Sequence, residues 1–84
     1  MNDNIILYGT SWCGDCHRAR WFFDNYGIEY TDIDIDADEA AAAKVMALNN
    51  GNRTVPTIIF QDGSMLVEPS IQTLKDKMGI VNEA

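Results

Sequence analysis

The sequence is short of basic side chains. Six Lys and Arg residues stand against thirteen Asp and Glu residues, which gives the 84-residue chain a formal net charge of −7 at pH 7. A nucleic-acid partner calls for a basic surface that displaces counterions from the phosphates, and an anionic membrane surface makes a similar demand. The charge balance therefore argues against nucleic acid as the main partner, and against a membrane surface.

Cysteine and histidine are scarce as well: the chain has two cysteines, Cys13 and Cys16, and one histidine, His17. A disulfide between residues three apart closes a loop too short to restrict the unfolded chain, so it would add little stability. A structural zinc site needs four ligands, and these three clustered candidates have no second pair to complete it. We therefore expect no metal site and a chemical role for the two thiols.

Long apolar runs are also missing. Residues 1–4 contain no basic segment and the apolar run Ile5–Tyr8 is short, so we expect neither a secretory signal nor a membrane span. We expect a cytoplasmic protein, in whose reducing surroundings cysteines are more often catalytic or metal-binding than permanently bridged. A chain of 84 residues, 46% of them hydrophobic, predicts one small domain over residues 1–84.

The hydrophobic pattern that is present predicts seven elements in the order βαβαββα. They are a strand over Asn4–Gly9, a helix over Cys13–Tyr26 ended by Gly27, a strand over Ile28–Ile35, a helix from Asp36 to residues 50–52, strands over Thr57–Phe60 and Met65–Val67 around an Asp-Gly turn, and a helix from the Ser70 cap to Gly79. A strand, a crossover helix and a strand imply a parallel pair, and the hairpin adds two antiparallel strands. The predicted class is α/β, with a four-stranded mixed sheet flanked by three helices.

Two details of the helices can be predicted from spacing. In the first helix, one face carries residues at intervals of three and four, and the aromatic run Trp21–Phe23 is expected in the core; that face comprises Cys16, Ala19, Phe23 and Tyr26. In the second helix, Asp36 and Glu39 have the spacing of a capping box, which predicts the helix start at Asp36.

The segment Cys13-Gly14-Asp15-Cys16 predicts a redox dithiol. Two cysteines at i and i+3 in the first turn of a helix bring both sulfurs to one face, where they can close a small disulfide ring. The free N–H groups and the positive dipole end of the helix stabilise a thiolate at that position.

Three blocks of the sequence resemble the glutaredoxins of the thioredoxin superfamily, and among these the mycoredoxins, which serve mycothiol. The blocks are Ser11-Trp12-Cys13-Gly14-Asp15-Cys16, the segment 49–57 (Asn-Asn-Gly-Asn-Arg-Thr-Val-Pro-Thr), and Asp62-Gly63-Ser64. The resemblance covers almost the whole chain. It implies a thioredoxin fold in the compact glutaredoxin form, without an additional N-terminal strand and helix.

The same resemblance implies an enzyme that reduces mixed disulfides between proteins and a low-molecular-weight thiol. Cys13 is the implied nucleophile and Cys16 the resolving residue, and Pro56, preceded by Val55, is implied to be a cis proline that faces the dithiol. The expected substrate-binding residues are Trp12, Asp15, Arg53, Thr54, Val55, Pro56 and Ser70. We expect mycothiol rather than glutathione as cosubstrate, no tightly bound cofactor, a disulfide reductase system as electron source, and a monomer.

The sequence departs from typical glutaredoxins inside and near the dithiol. Gly14 and Asp15 stand where proline and tyrosine are usual, and the Asp15 carboxylate opposes a thiolate nearby. Arg18 and Arg20 are candidates to offset that charge. Glutathione-specific members carry Gly-Gly and an acidic residue after the last strand, where this chain has Val67-Glu68, and this difference favours mycothiol.

Other interpretations of the same residues remain open at this stage. Cys13-Gly14-Asp15-Cys16-His17 fits the haem-attachment pattern, although that attachment requires export. An iron–sulfur cluster shared between two copies is a sharper alternative, and a thioredoxin-like protein-disulfide reductase recharged by a flavoprotein is suggested by Trp12-Cys13-Gly14. The alternating aspartates 32–38 resemble the start of a calcium loop but lack its Gly and terminal Glu, so an acidic solvated edge is the preferred interpretation.

Overall fold

The computed structural model describes residues 4–80 and contains four strands and three helices in the predicted order. These elements are β1 (Ile5–Gly9), α1 (Gly14–Asn25), β2 (Tyr30–Asp34), α2 (Glu39–Leu48), β3 (Thr57–Ile59), β4 (Met65–Val67) and α3 (Ile71–Met78). The predicted βαβαββα order and the mixed α/β class are confirmed. This arrangement is a thioredoxin fold.

The sheet has the strand order β2-β1-β3-β4. β1 and β2 pair in parallel, whereas β3 is antiparallel to both β1 and β4. Tyr8, near the carboxyl end of β1, pairs with Thr57 at the start of β3. The chain leaving β1 and the chain entering β3 therefore meet at the same end of the sheet.

Helices pack on both faces of this sheet. On one face, α1 and α3 bury a cluster that includes Phe22, Phe23, Ile58 and Leu74, and the exposed fraction of each of these side chains is 0%. On the other face, α2 buries Val45 with its neighbours against the sheet. Burying one such large apolar side chain stabilises the fold by about 1.5–3 kcal/mol, so both layers contribute to holding the dithiol end of the sheet in place.

Two aromatic residues of the first helix lie outside the core, contrary to the prediction. Trp21 is 56% exposed because it lies nearly opposite Cys16 around the helix, while Phe22 and Phe23 are buried as expected. Tyr26 is 40% exposed because α1 has ended by then: Tyr26 is its C-cap, and its ring rests on Phe22 at a centroid distance of 4.9 Å.

The second helix starts later than the capping-box spacing predicted. Its N-cap is Asp38, whose carboxylate accepts a hydrogen bond from the Ala41 amide at 3.0 Å, so Glu39 is the first helical residue. Asp36 precedes the helix, and its carboxylate accepts hydrogen bonds from Trp12 and Arg53 instead of capping α2. By contrast, the predicted Ser70 cap and Gly79 stop of α3 are confirmed, with Gly79 in the left-handed region at φ +71°.

Candidate active site

Cys13 lies where β1 passes into α1, and it is the N-cap of that helix. Its Sγ accepts a hydrogen bond from the backbone amide of Cys16 at 3.2 Å, and the residue is 8% exposed. A sulfur in this position receives the free N–H groups and the positive end of the helix dipole, both of which favour the thiolate. The predicted placement of the dithiol at a helix origin is confirmed.

Cys16 lies one turn further and is fully buried, with 0% exposure. Burial is the main cause that raises its pKa to about 12, and the hydrogen bond with Cys13 acts in the same direction. Cys16 is therefore a protonated thiol at neutral pH. The two cysteines differ in solvent access, because Cys13 lines an open groove and Cys16 does not.

The loop before β3 approaches the dithiol from the other side. The Val55–Pro56 peptide bond is cis, as the resemblance implied, and the Val55 carbonyl oxygen lies 3.9 Å from Cys13 Sγ. This placement follows from the sheet, because the antiparallel pairing of β1 and β3 brings Pro56 next to the chain that leaves β1.

An open groove of about 600 Å³ lies over Cys13. It is lined by Trp12, Cys13, Gly14, Asp15, Arg53, Thr54, Val55 and Glu68. A thiol at the floor of a solvent-open groove, with a second thiol buried behind it, is the arrangement required for thiol–disulfide exchange.

Comparison with known proteins agrees with this geometry. The glutaredoxin family model matches residues 5–65. The chain belongs to the glutaredoxin family. It is 45% identical to a candidate glutaredoxin of Mycobacterium tuberculosis (strain H37Rv) over 74 residues, which cover 88% of each chain. It is 41% identical to mycoredoxin 1 of Corynebacterium glutamicum over 66 residues, covering 79% of this chain and 81% of the relative.

Solved structures give the same result for the fold. The crystal structure of a glutaredoxin from Archaeoglobus fulgidus superposes with a TM-score of 0.74 at 25% identity and covers 90% of this chain and 86% of its own. A thioredoxin-like protein superposes with a TM-score of 0.81 at 22% identity, over 96% of this chain and 100% of its own. As a glutaredoxin, the protein is a thiol–disulfide oxidoreductase with a low-molecular-weight thiol as cosubstrate and protein disulfides as substrates.

Most of the predicted site residues converge on the glutaredoxin groove. Six of them line it: Trp12, Cys13, Asp15, Arg53, Thr54 and Val55. Cys16 and Pro56 are buried behind the lining. Ser70 is not part of the lining; its hydroxyl accepts from the Thr73 amide at 3.1 Å and caps α3, so its contact with a thiol stays a prediction.

Asp36 is a residue that the sequence analysis missed. One of its carboxylate oxygens accepts from Trp12 Nε1 at 2.8 Å, and the other accepts from the Arg53 guanidinium at 2.7 Å. Asp36 thereby links two residues that line the groove, Trp12 and Arg53. No local pattern reveals this role, because Trp12 and Arg53 lie 24 and 17 positions away in the sequence.

Glu68 was also missed as a lining residue. It has a left-handed backbone at φ +49°, and its amide donates to the Pro56 carbonyl at 2.9 Å, which extends the pairing of β4 with β3 by one step. The available signal was the substitution of Val67-Glu68 for the Gly-Gly of glutathione-specific relatives. The sequence analysis noted Val67-Glu68 only as a difference from those relatives. In the structure, Glu68 brings a carboxylate to the groove lining.

The two arginines near the dithiol behave differently. Arg18 pairs with Asp15 at 3.1 Å, so it offsets that carboxylate as expected. Arg20 does not; its guanidinium donates to Asp32 at 2.9 Å and to the Thr10 carbonyl at 3.0 Å. The reason is helical geometry, since residues three apart are neighbours on a helix and residues five apart are not.

Neither a membrane-spanning helix nor a metal-binding cluster occurs within residues 4–80. No helix in that range is long and apolar enough to cross a bilayer, and no three His, Cys, Asp or Glu side chains are grouped to hold a metal ion. The acidic residues that resemble a calcium loop are engaged separately: Asp32 with Arg20, Asp34 with the Asp36 amide, and Asp38 as a helix cap.

Proposed function

We propose that this glutaredoxin reduces mixed disulfides between proteins and a low-molecular-weight thiol, with Cys13 as nucleophile and Cys16 as resolving residue. The observation that carries the proposal is the asymmetry of the pair. Cys13 Sγ sits at the origin of α1 on the floor of the groove, whereas Cys16 is buried behind it with a raised pKa. In such a pair the accessible sulfur of Cys13 attacks the substrate, and the buried sulfur of Cys16 reacts only afterwards, with Cys13.

The first step is an exchange at Cys13. Its thiolate attacks the small-thiol sulfur of the mixed disulfide, a bond forms between Cys13 and that sulfur, and the client protein leaves as a thiolate that takes up a proton. Two routes then release the captured thiol. A second molecule of the small thiol attacks it, or Cys16 displaces it and closes the Cys13–Cys16 disulfide.

Groove charge supports mycothiol over glutathione as the cosubstrate. Asp15 and Glu68 bring two carboxylates to the lining, and the charge of Arg53 is compensated by Asp36 at 2.7 Å. Glutathione carries two carboxylates that this groove repels, while mycothiol presents sugar hydroxyls and no carboxylate. The similarity to mycoredoxin 1 supports the same preference.

The walls of the groove have distinct roles in this proposal. Arg53 retains guanidinium donors for a hydroxyl or carbonyl of the thiol, and Trp12, 71% exposed, presents an aromatic face beside Cys13. The backbone of Val55, preceded by Thr54, pairs with an extended client segment as a short strand pairs with a sheet edge. Pro56, which follows Val55, is the last residue of this proposed binding segment.

Several properties of the whole protein belong to the same proposal. A single domain over residues 1–84, a monomeric state and a cytoplasmic location fit a small acidic redox protein with a net charge of −7. Electrons reach it from a disulfide reductase through the small thiol rather than directly from a flavoprotein.

The test is turnover of a protein mixed disulfide with three electron sources supplied separately. We expect reduction with mycothiol and its reductase, at least tenfold slower reduction with glutathione and its reductase, and none with thioredoxin reductase. Faster turnover with glutathione would contradict the cosubstrate preference. Turnover with thioredoxin reductase alone would contradict the proposed route and favour a thioredoxin-like reductase.

A further inference from the structure

A polar cluster around Arg20 lies next to the dithiol and outside the groove lining. The Arg20 side chain is 16% exposed, and its guanidinium donates to Asp32 at 2.9 Å and to the Thr10 carbonyl at 3.0 Å. A third nitrogen lies 3.4 Å from His17 Nδ1, and the other ring nitrogen of His17 lies 2.7 Å from the Ser11 carbonyl oxygen. The guanidinium is thus held in one place by groups on β2, α1 and the loop after β1.

Gly9 shows how close this cation is to the buried sulfur. A Cβ added to Gly9 would lie 2.9 Å from Cys16 Sγ and 3.1 Å from an Arg20 guanidinium nitrogen. Both groups therefore occupy the space above the same glycine. The absence of a side chain at position 9 lets the positive charge approach the thiol.

A positive charge near Cys16 Sγ would favour the resolving step. Cys16 must lose its proton before it can attack, although burial raises its pKa to about 12. When Cys13 is bonded to the small thiol it carries no negative charge, so it no longer repels a Cys16 thiolate. The groups left to favour that thiolate are the Thr10 amide and the Arg20 guanidinium.

We propose that Arg20 is a positioning residue for the resolving step: its fixed positive charge beside Cys16 Sγ stabilises the thiolate that attacks the Cys13 mixed disulfide. This inference rests on the proposed resolving role of Cys16. The step is balanced without a further reactant. The Cys16–Cys13 bond forms, the bond from Cys13 to the small thiol breaks, and the proton released by Cys16 ends on the departing thiolate through solvent.

Cys13 and Arg20 act on Cys16, and the Asp32 carboxylate opposes the charge of Arg20. His17 and Tyr30 are the titratable neighbours of Arg20 on α1 and β2. Three substitutions therefore separate the effects. Arg20→Gln removes the charge, Arg20→Lys keeps a cation, and Asp32→Asn keeps an acceptor for Arg20 but removes the opposing charge.

The experiment mixes the reduced protein with the disulfide reagent dithiobis(nitrobenzoate) in a stopped-flow instrument and follows the release of the thionitrobenzoate chromophore. The attack of Cys13 releases one chromophore at a rate proportional to reagent concentration, and the attack of Cys16 releases the second at a rate independent of it. For Arg20→Gln we expect the second phase to slow about tenfold and its pH profile to move to higher pH, with the first phase changed less than about twofold. Arg20→Lys should keep most of the rate, and Asp32→Asn should accelerate the second phase.

Lys44→Gln is the matched control, because it removes one positive charge from an exposed position on α2. It should leave both phases unchanged. The inference is overturned if Arg20→Gln leaves the second phase unchanged, if both phases slow together, or if Arg20→Lys is as slow as Arg20→Gln. If Arg20→Gln does not fold, an unchanged or slower second phase in Asp32→Asn overturns it. A wild-type protein that releases one chromophore per chain rather than two would instead refute the proposed role of Cys16.

Discussion

Asp36 accepts a hydrogen bond from the indole of Trp12 at 2.8 Å across 24 positions of sequence, and this contact connects the loop before the dithiol to the turn between β2 and α2. The same carboxylate holds Arg53 at 2.7 Å. One acidic side chain thereby fixes the indole of the exposed Trp12 and compensates the charge of Arg53. Asp36 is therefore expected to influence which thiol the groove accepts.

Asp36→Asn should shift the groove toward carboxylate-bearing thiols. The amide oxygen can still accept one hydrogen bond, but the charge that compensates Arg53 is lost, so Arg53 attracts a carboxylate more strongly. We expect KM for a glutathione mixed disulfide to fall about three- to tenfold, since each tenfold change corresponds to about 1.4 kcal/mol, and KM for a mycothiol mixed disulfide to change little. Steady-state kinetics with both substrates measure the difference.

Asp34→Asn is a suitable comparison, because Asp34 lies two residues away and its carboxylate accepts only from the Asp36 amide in the described part of the chain. It removes an equal charge without releasing Arg53, so the ratio of the two KM values should stay as in the wild type. An equal response of both variants would show that general surface charge, not the pairing of Arg53, controls selectivity.

Much of the fold was predictable because its signals are local. The strand and helix periods, the Asp-Gly turn, the Ser70 cap and the Gly79 stop each depend on a few adjacent residues. The cis bond before Pro56 was implied by the family resemblance alone. Placement of Cys13 at a helix origin also follows from neighbouring residues, since the strand ends just before it.

The rest of the site depends on contacts that local patterns do not contain. The aspartates at alternating positions all have side chains suited to turns and helix caps. Only the packed structure shows which of these roles each one has. Asp34 supports a turn, Asp36 binds Trp12 and Arg53, and Asp38 caps α2. Arg20 was expected to offset Asp15, but its position around α1 directs it to Asp32.

Substitution of each cysteine should separate the two roles in the dithiol. Cys13→Ser should abolish turnover of mixed disulfides, because the nucleophile is gone while serine retains an N-cap acceptor for α1. Cys16→Ser should retain activity that uses a second molecule of the small thiol, because Cys13 and the groove are intact. Initial rates with the small thiol in excess test both, with circular dichroism to verify the fold.

Two outcomes would contradict this division of roles between Cys13 and Cys16. A Cys16→Ser variant that folds but is as inactive as Cys13→Ser would show that the dithiol route is obligatory. A Cys13→Ser variant with measurable turnover would remove Cys13 from the nucleophile's role.

The raised pKa of Cys16 predicts a loss of stability in alkaline solution. An unfolded cysteine ionises from its ordinary pKa of 9.0, whereas the folded one holds its proton until about 12. Between these values the folded state binds more protons than the unfolded state, so the free energy of unfolding falls as pH rises, with a slope of at most about 1.4 kcal/mol per pH unit. Below pH 9 the contribution is fully present and flat.

Urea unfolding of the reduced protein at a series of pH values measures this slope. Cys16→Ala is the reference, because it lacks the thiol but keeps Tyr30, whose pKa is also raised by burial and which acts with the same sign. The wild type should lose stability between pH 9 and 12 more steeply than the variant. Parallel curves for the two proteins would mean that the Cys16 proton is not held by the fold.

Gly9→Ala should destabilise the protein at the base of the active site. The added Cβ would lie 2.9 Å from Cys16 Sγ, 3.0 Å from a Leu7 methyl carbon and 3.1 Å from a guanidinium nitrogen of Arg20. Because Cys16 and Leu7 are 0% exposed, we expect a loss of about 1–3 kcal/mol in the free energy of unfolding, as for other overpacked positions. Gly14→Ala is the control, since a Cβ there meets nothing within 4 Å and alanine favours the first turn of α1. Equal stabilities of the two variants in urea would show that the close approach of Arg20 to Cys16 over Gly9 is not maintained in solution.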